Sequence, residues 1–316
     1  MNSEVLLLTA LTVITAATPL VYAAIGELVV EKSGVLNLGV EGMMLAGAVS
    51  SFALLHVTGN AYFGIVGGAV AGVLLASIFA LLTLGLQASQ VASGLALTIF
   101  GTGLTALLGQ PLVGVAYSGL QKIHIPFLAD LPVIGRLLFQ HDILVYGSFL
   151  IVPAVGWFLY RTAAGLTLRS VGDSHDAAHA LGINVLRWRC VATLFGGACA
   201  GVAGAYLSLA YTPMWVENMT AGRGWIALAL VVFATWRPGR MLFGAYLFGA
   251  ISILQLHIQA SGGLSLRGVE LVIPSQFMSM LPYLATIIVL VVISRNQSKI
   301  RKHAPQSIGK SFYPAS

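Results

Sequence analysis

The chain has 316 residues, of which 58% are hydrophobic and only 8% charged, with a formal net charge of +6 and a mean hydropathy of +0.91. Soluble domains carry about 25% charged residues, so a water-solvated globule is excluded and lipid must solvate most of the surface. The positive excess then bears on membrane topology and does not indicate nucleic-acid binding.

A crossing of the hydrocarbon takes about 20 mostly apolar residues. In chain order the candidate spans are 5–25, 41–57, 62–85, 92–110, 143–160, 190–211, 225–236 (short), 241–259 and 277–294. The expected fold is an all-α polytopic transmembrane bundle of about 8–10 spans, with a broken or re-entrant segment near 26–40. Residues 1–294 form the membrane domain. Residues 295–316 form a basic tail whose prolines and serines predict disorder. No basic n-region precedes 5–24, so that stretch reads as a retained span and not a cleaved signal.

Orientation follows from lysine and arginine. Lys32, Arg161, Arg169, Arg187, Arg189, Arg237, Arg240, Arg295, Lys299, Arg301, Lys302 and Lys310 fall on one side, against Lys122, Arg136, Arg223 and Arg267 on the other. Cytoplasmic loops carry the excess, so the loop 165–189 and the tail are expected in the cytoplasm and the N-terminus outside.

Several stretches could carry function. "GELVVEKSGVLNLGVEGMMLAGAV", residues 26–49, brings three glutamates and a lysine among apolar spans. Ionisable groups at membrane depth face protein or water, so Glu41, with Asn37 one helical turn before it, either braces the bundle or lines a polar pathway. "GGACAGVAG" (196–204) repeats small residues at four-residue spacing on two faces, a close-packing signal. "YTPMWVENMTAGRGW" (211–225) gathers Tyr211, Trp215, Glu217, Arg223 and Trp225, which suits an interfacial aromatic belt or a gate that stacks on a flat solute.

"HDAAH" sets His175 and His179 four apart, the spacing of two zinc ligands. It lacks a third ligand and a dry enclosure, so the pair reads as a solvated helix face and no metal is expected. Cys190 and Cys199 are about 13 Å apart along one helix, beyond disulfide reach. G-x-S-x-G, Walker A and C-x-x-C motifs are all missing from the sequence. No catalytic residue is therefore assigned, and an intramembrane enzyme has no nucleophile–base set to use.

Four motifs in order, "EKSGVLNLGVEGMML", "GLTLRSVGDSHDAAHALGINV", "GRGWIALALVVFATWRP" and "IPSQFMSMLPYLATIIVLVV", resemble permease subunits of bacterial ABC importers. The group is the branched-chain amino acid and simple-sugar permease superfamily, and within it the nucleoside importers fed by basic membrane lipoproteins. The resemblance implies an inner-membrane permease with no cofactor of its own, ATP and magnesium being held by partner ATPase subunits. The other implied partners are a second permease, paralogue or self, and an extracytoplasmic substrate-binding lipoprotein. It also implies that the stretch Gly172–Gly182 forms a coupling helix docked on the ATPase. Gly172, Asp173, Ala177, Ala178, Ala180, Leu181 and Gly182 are its candidate residues. The alanines favour helix and a flat surface, Asp173 or Ser174 can cap it, and Gly182 can end it.

The solute expected is a purine nucleoside or a related polar compound, with Asn37, Glu41, Ser93, Thr98 and Arg223 as pathway candidates. Family members often carry Asn where this chain has Thr98. A sugar, a branched-chain amino acid, or ion-driven transport without an ATPase are the rival readings.

Overall fold

A computed structural model describes residues 3–124, 126, 134–260, 264–266, 269–271, 304–313 and scattered positions between 277 and 291. Seven helices among the described residues are long and apolar enough to cross a membrane. They are built on α1 (Ser3–Lys32), α2 (Val40–Thr58), α3 (Ala61–Ala80), α4 (Gln90–Gly109), α6 (Ile143–Arg161), α9 (Val185–Tyr206) and α11 (Pro238–Ala260). Single π-helical turns extend α3 through Gly85 and α9 through Tyr211. Between them lie α5 (Ile134–Leu138), α7 (Ala163–Asp173), α8 (His175–Ala180) and α10 (Arg223–Phe233), all shorter. The strands among the described residues are two small hairpins, Ile123–His124 with Gln140–His141 and Leu264–Leu266 with Val269–Leu271. The chain is thus an all-α bundle, as composition required. The expected span 277–294 lies largely outside the described residues.

α1 is the central post. Beyond Ile14 nearly every side chain is buried, and α9, α11, α10 and α6 pack around it. Small residues set the closest approaches, as the sequence predicted for 196–204. A Cβ on Gly197 would meet Ala76 and the Gly72 carbonyl of α3, and one on Gly204 would meet Met44 and Ala48 of α2. Without a hydrophobic force between helices in lipid, such backbone contact is what holds α2, α3 and α9 together. The outward faces are apolar, with Ile99 of α4 74% and Leu150 of α6 71% exposed. These faces are suited to lipid.

The basic residues gather at one end. Lys32 lies within electrostatic reach of Asp173, Arg169 and Arg237, and Arg189 bonds to Ser33 and Lys310. At the opposite end the segment after α4 pairs with the segment after α9. Val113 bridges to Trp215, Ala116 to Met214, and Tyr117 N donates to Pro213 O. Trp215 is only 2% exposed, packed against Leu45, Val49, Phe52 and Leu112. It is a core residue and not part of an aromatic belt.

Two other expectations change. α1 stays helical through Lys32, so the break is confined to 33–39. The tail is ordered at 304–313, where Ser307 and Phe312 are buried. Pro305 and the serines suggested disorder, but polar backbone left open at 33–34 and 172 gives the segment partners.

Candidate functional site

Gly34 breaks the chain out of α1 with φ +87°, in the left-handed region. The turn that follows is buried, so its backbone polar groups need protein partners. Leu36 N donates to Gln90 Oε1 (2.8 Å), Asn37 N to Glu27 Oε1 (3.1 Å) and Gly39 N to Asn37 Oδ1 (2.9 Å). Leu38 O accepts from Thr98 Oγ1 at 2.9 Å. Ser93 of α4 is buried, like Thr98. Between them Gly94 lies against Leu38 so closely that a Cβ there would sit 2.8 Å from its amide nitrogen. Asn37 and Thr98 therefore hold the turn through hydrogen bonds, and Ser93 is buried in α4.

Glu41 stands in the first turn of α2 and is 5% exposed. Its Oε1 accepts from Thr220 Oγ1 (2.5 Å) and Gly222 N (2.8 Å), and its Oε2 from Gly224 N (2.6 Å). These donors surround the N-terminus of α10, where backbone N–H groups lack helical partners and the helix dipole favours a negative charge. A carboxylate from α2 thus caps a helix about 180 residues downstream. Gly222, at φ +82°, turns the chain toward it, and Gly224 lets the backbone come close. The brace is the reading this geometry favours.

The other two glutamates do the same work. Glu27 holds the 33–39 turn, and Glu31 Oε2 accepts from Trp236 Nε1 at 2.5 Å. Trp236 follows α10 in a turn where both it and Thr235 have positive φ. Each glutamate of the 26–49 stretch secures one non-helical turn. Glu27 Oε2 and Gln90 Nε2 are the buried atoms of this cluster left without a protein partner.

Arg223 does face open space. It starts α10 over the ring of Tyr211, 5.5 Å from guanidinium carbon to centroid, and donates to Met219 O and Thr220 O. The two side chains border a cavity of about 310 Å³ with Ala16, Leu20, Phe248, Ser252 and Gln255. Its wall combines a cation, an aromatic face, a hydroxyl and an amide, which suits a polar solute with a flat or hydroxylated surface.

At the basic end, Thr162 caps α7 and Ser174 caps α8, each accepting from a backbone amide three residues on. Gly182, at φ +80°, ends α8 with its N–H bonded to His179 O. The short helix forms as its sequence predicts. Asp173, Ala177, Ala180, Leu181 and Gly182 are exposed, Leu181 at 81%. Gly172 and Ala178 are not. A Cβ on Gly172 would meet the carbonyl group of Lys32, and Ala178 packs with Val171, Val185 and Phe312. Of the seven coupling candidates, five face outward and two bind the helix to its own chain.

Of the histidine pair, His179 is exposed as expected, whereas His175 is half-buried. His175 and His179 both turn an edge-on ring contact to Phe312, at 5.4 and 5.3 Å between centroids. His175 Nδ1 accepts from Arg189 Nη2 at 3.3 Å. Burial and the Arg189 charge push its pKa below the ordinary 6.5, which keeps it a neutral acceptor at pH 7. Arg189 itself, 0% exposed, was not singled out in the sequence, where it reads as one more loop cation. A basic residue just inside the start of a span is its only sequence signal.

A family model for "Branched-chain amino acid transport system / permease component" matches residues 9–293. The chain is 42% identical to TsgC13 of Haloferax volcanii, a permease protein named for a glucose ABC transporter, over 95% of both chains. It is 34% identical to the nucleoside ABC transporter permease protein NupC of Lactococcus lactis, over 87% of this chain and 89% of that one. It is 32% identical to the guanosine ABC transporter permease protein NupQ of Bacillus subtilis, over 87% and 88%. Multi-span architecture, the short capped helix at the basic end and these matches agree: the chain belongs to the ABC transporter permease family of the branched-chain amino acid type.

Proposed function

We propose that this chain is the membrane-spanning subunit of an ATP-driven importer for a purine nucleoside or a closely related polar solute. The observation that carries the solute class is the identity with NupC and NupQ across most of their length. The Arg223–Tyr211 cavity supports it, because an aromatic face and a cation suit a flat, hydrogen-bonding base. Arg223, with Tyr211, Ser252 and Gln255, contacts solute. Asn37, Glu41, Ser93 and Thr98 shape the wall behind.

The basic end faces the cytoplasm and the N-terminus lies outside, in keeping with the positive-inside rule. There the exposed face of α8, with Asp173, Ala177, Ala180, Leu181 and Gly182, docks on an ATPase subunit that binds ATP and magnesium. The working complex holds two ATPase domains, a second permease chain and an external binding lipoprotein. Glucose or another simple sugar is the second reading, favoured by the identity with TsgC13.

The test is uptake in proteoliposomes containing the full complex, with labelled guanosine and labelled glucose offered in parallel. ATP-dependent guanosine accumulation, reduced in Arg223→Gln, is the expected result. Glucose accumulation alone selects the second reading. Uptake by this chain without ATPase would point to ion-driven transport. Leu181→Arg puts a bulky charge at the docking face and should release ATPase by tenfold or more, since about 1.4 kcal/mol suffices for tenfold. ATPase recovered per permease measures it.

A further inference from the structure

Residues 304–313 are remote in sequence from both the coupling helix and the 33–39 turn, yet they lie between the two. Ser307 N and Oγ donate to Gly172 O at 2.9 and 2.5 Å, at the end of α7. Gly309 N donates to Gly34 O at 3.2 Å, on the turn. The buried Arg189 guanidinium joins all the parts. Its Nε donates to Ser33 O, Nη1 to Lys310 O, and Nη2 to both Ser307 Oγ and His175 Nδ1. Phe312 closes the arrangement, 5% exposed between the two histidines of α8 and against Val171, Ala178 and Val185.

We infer that segment 304–313 is a strut that carries motion of the coupling helix to the 33–39 turn, with Arg189 and Phe312 as its positioning residues. The inference rests on the docking role proposed for α8. Ordering such a tail costs conformational entropy, and its contacts join α7, α8 and the start of α9 to the 33–39 turn. From the turn the path continues through Glu27, Gln90 and Thr98 to α1 and α4, and on to Glu41 and α10. α8 also reaches the turn through Arg189, which bonds to both His175 and Ser33, and through the close backbone approach of Gly172 of α7 to Lys32 and Gly34. A rigid link between two elements transmits a displacement that a loose one absorbs.

The experiment uses the full complex and reads amide hydrogen exchange of 33–39 with and without a non-hydrolysable ATP analogue. The variants are Phe312→Ala, Phe312→Leu and a chain ending before residue 304. In wild type the analogue should change exchange of the turn. In Phe312→Ala and the shortened chain, ATPase should remain bound while that change falls by about fivefold or more, the lower range of allosteric couplings. Phe312→Leu, which keeps an apolar wedge, should restore most of it. If the shortened chain fails to insert, Phe312→Ala decides alone. An undiminished response in Phe312→Ala, no response in wild type, or a response lost only because ATPase has left would each overturn the strut. The docking role falls separately, if Leu181→Arg keeps its ATPase.

Discussion

Glu41 and Arg189 are both buried in an apolar bundle, and neither forms an ion pair among the described residues. Glu41 takes its hydrogen bonds from a hydroxyl and two amides at the start of α10. Arg189 gives its own to two carbonyls, a hydroxyl and an imidazole, drawn from the turn, the tail and α8. The acid is met by the donor-rich start of a helix and the base by acceptors that irregular segments leave open. Burying an ion pair is expensive on both sides; using backbone already short of partners solves two desolvation problems with one contact. The difference lies in what is joined. Glu41 fastens two helices near the bundle centre, whereas Arg189 fastens three segments at the end where a partner can push.

That contrast can be broken by experiment. The largest effect belongs to Glu41→Gln, which keeps the shape but sets an amide NH₂ or a weaker acceptor against Gly222 and Gly224. Leaving a buried donor unsatisfied costs about 1–3 kcal/mol, so the apparent melting temperature in detergent should fall by several degrees and insertion should drop. Unchanged stability with lost uptake would return Glu41 to the solute pathway. Arg189→Lys comes next. A single ammonium cannot reproduce the fork that reaches four acceptors, so protection of amides at 307–310 should fall by about tenfold, or ~1.4 kcal/mol, with the Glu41 region unaffected. Exchange that rises equally in both regions would mean the two form one unit.

The smallest effect is a pH response. His175 has a lowered pKa in the folded chain, so the unfolded or undocked state binds a proton more readily. Docking is therefore undiminished above the ordinary histidine pKa and weakens as pH falls below it. Exchange of 304–313, corrected for its intrinsic pH dependence, should quicken between pH 7 and 5.5 in wild type. His175→Gln, which keeps an acceptor for Arg189, should flatten that response.

Spans were legible in the sequence because a run of apolar residues long enough to cross lipid is rarely compatible with a water-facing surface. The break after α1 was legible too, since Gly34 and Gly39 permit a sharp non-helical backbone, but the clustered charge drew it too far back, for Glu27, Glu31 and Lys32 all stay in α1. The role of Glu41 was not legible. Its partners lie 179 to 183 residues away, and spacing within one stretch cannot tell a brace from a pathway. The alanines of α8 illustrate the same limit. Helical propensity fixes the helix, but packing against Val171, Val185 and Phe312 makes Ala178 an inner residue while Ala177 and Ala180 stay outside. Trp215 was misplaced because aromatic residues near span ends so often sit at the lipid interface; the pairing of 113–116 with 214–215 covers it instead.

The shortness of α10 bears on how the protein is made. Its eleven residues reach about 16 Å, roughly half of a ~30 Å hydrocarbon core. Such a segment is too short to be handed to the bilayer as an independent unit, and its exposed N-terminal amides would be costly there. It must instead settle against a surface that already exists. Glu31 and Glu41 belong to helices that leave the ribosome well before α10, so the receptor for α10 is in place before α10 is synthesised. The early glutamates thereby set an order of assembly, in which the second half of the chain completes itself on the first.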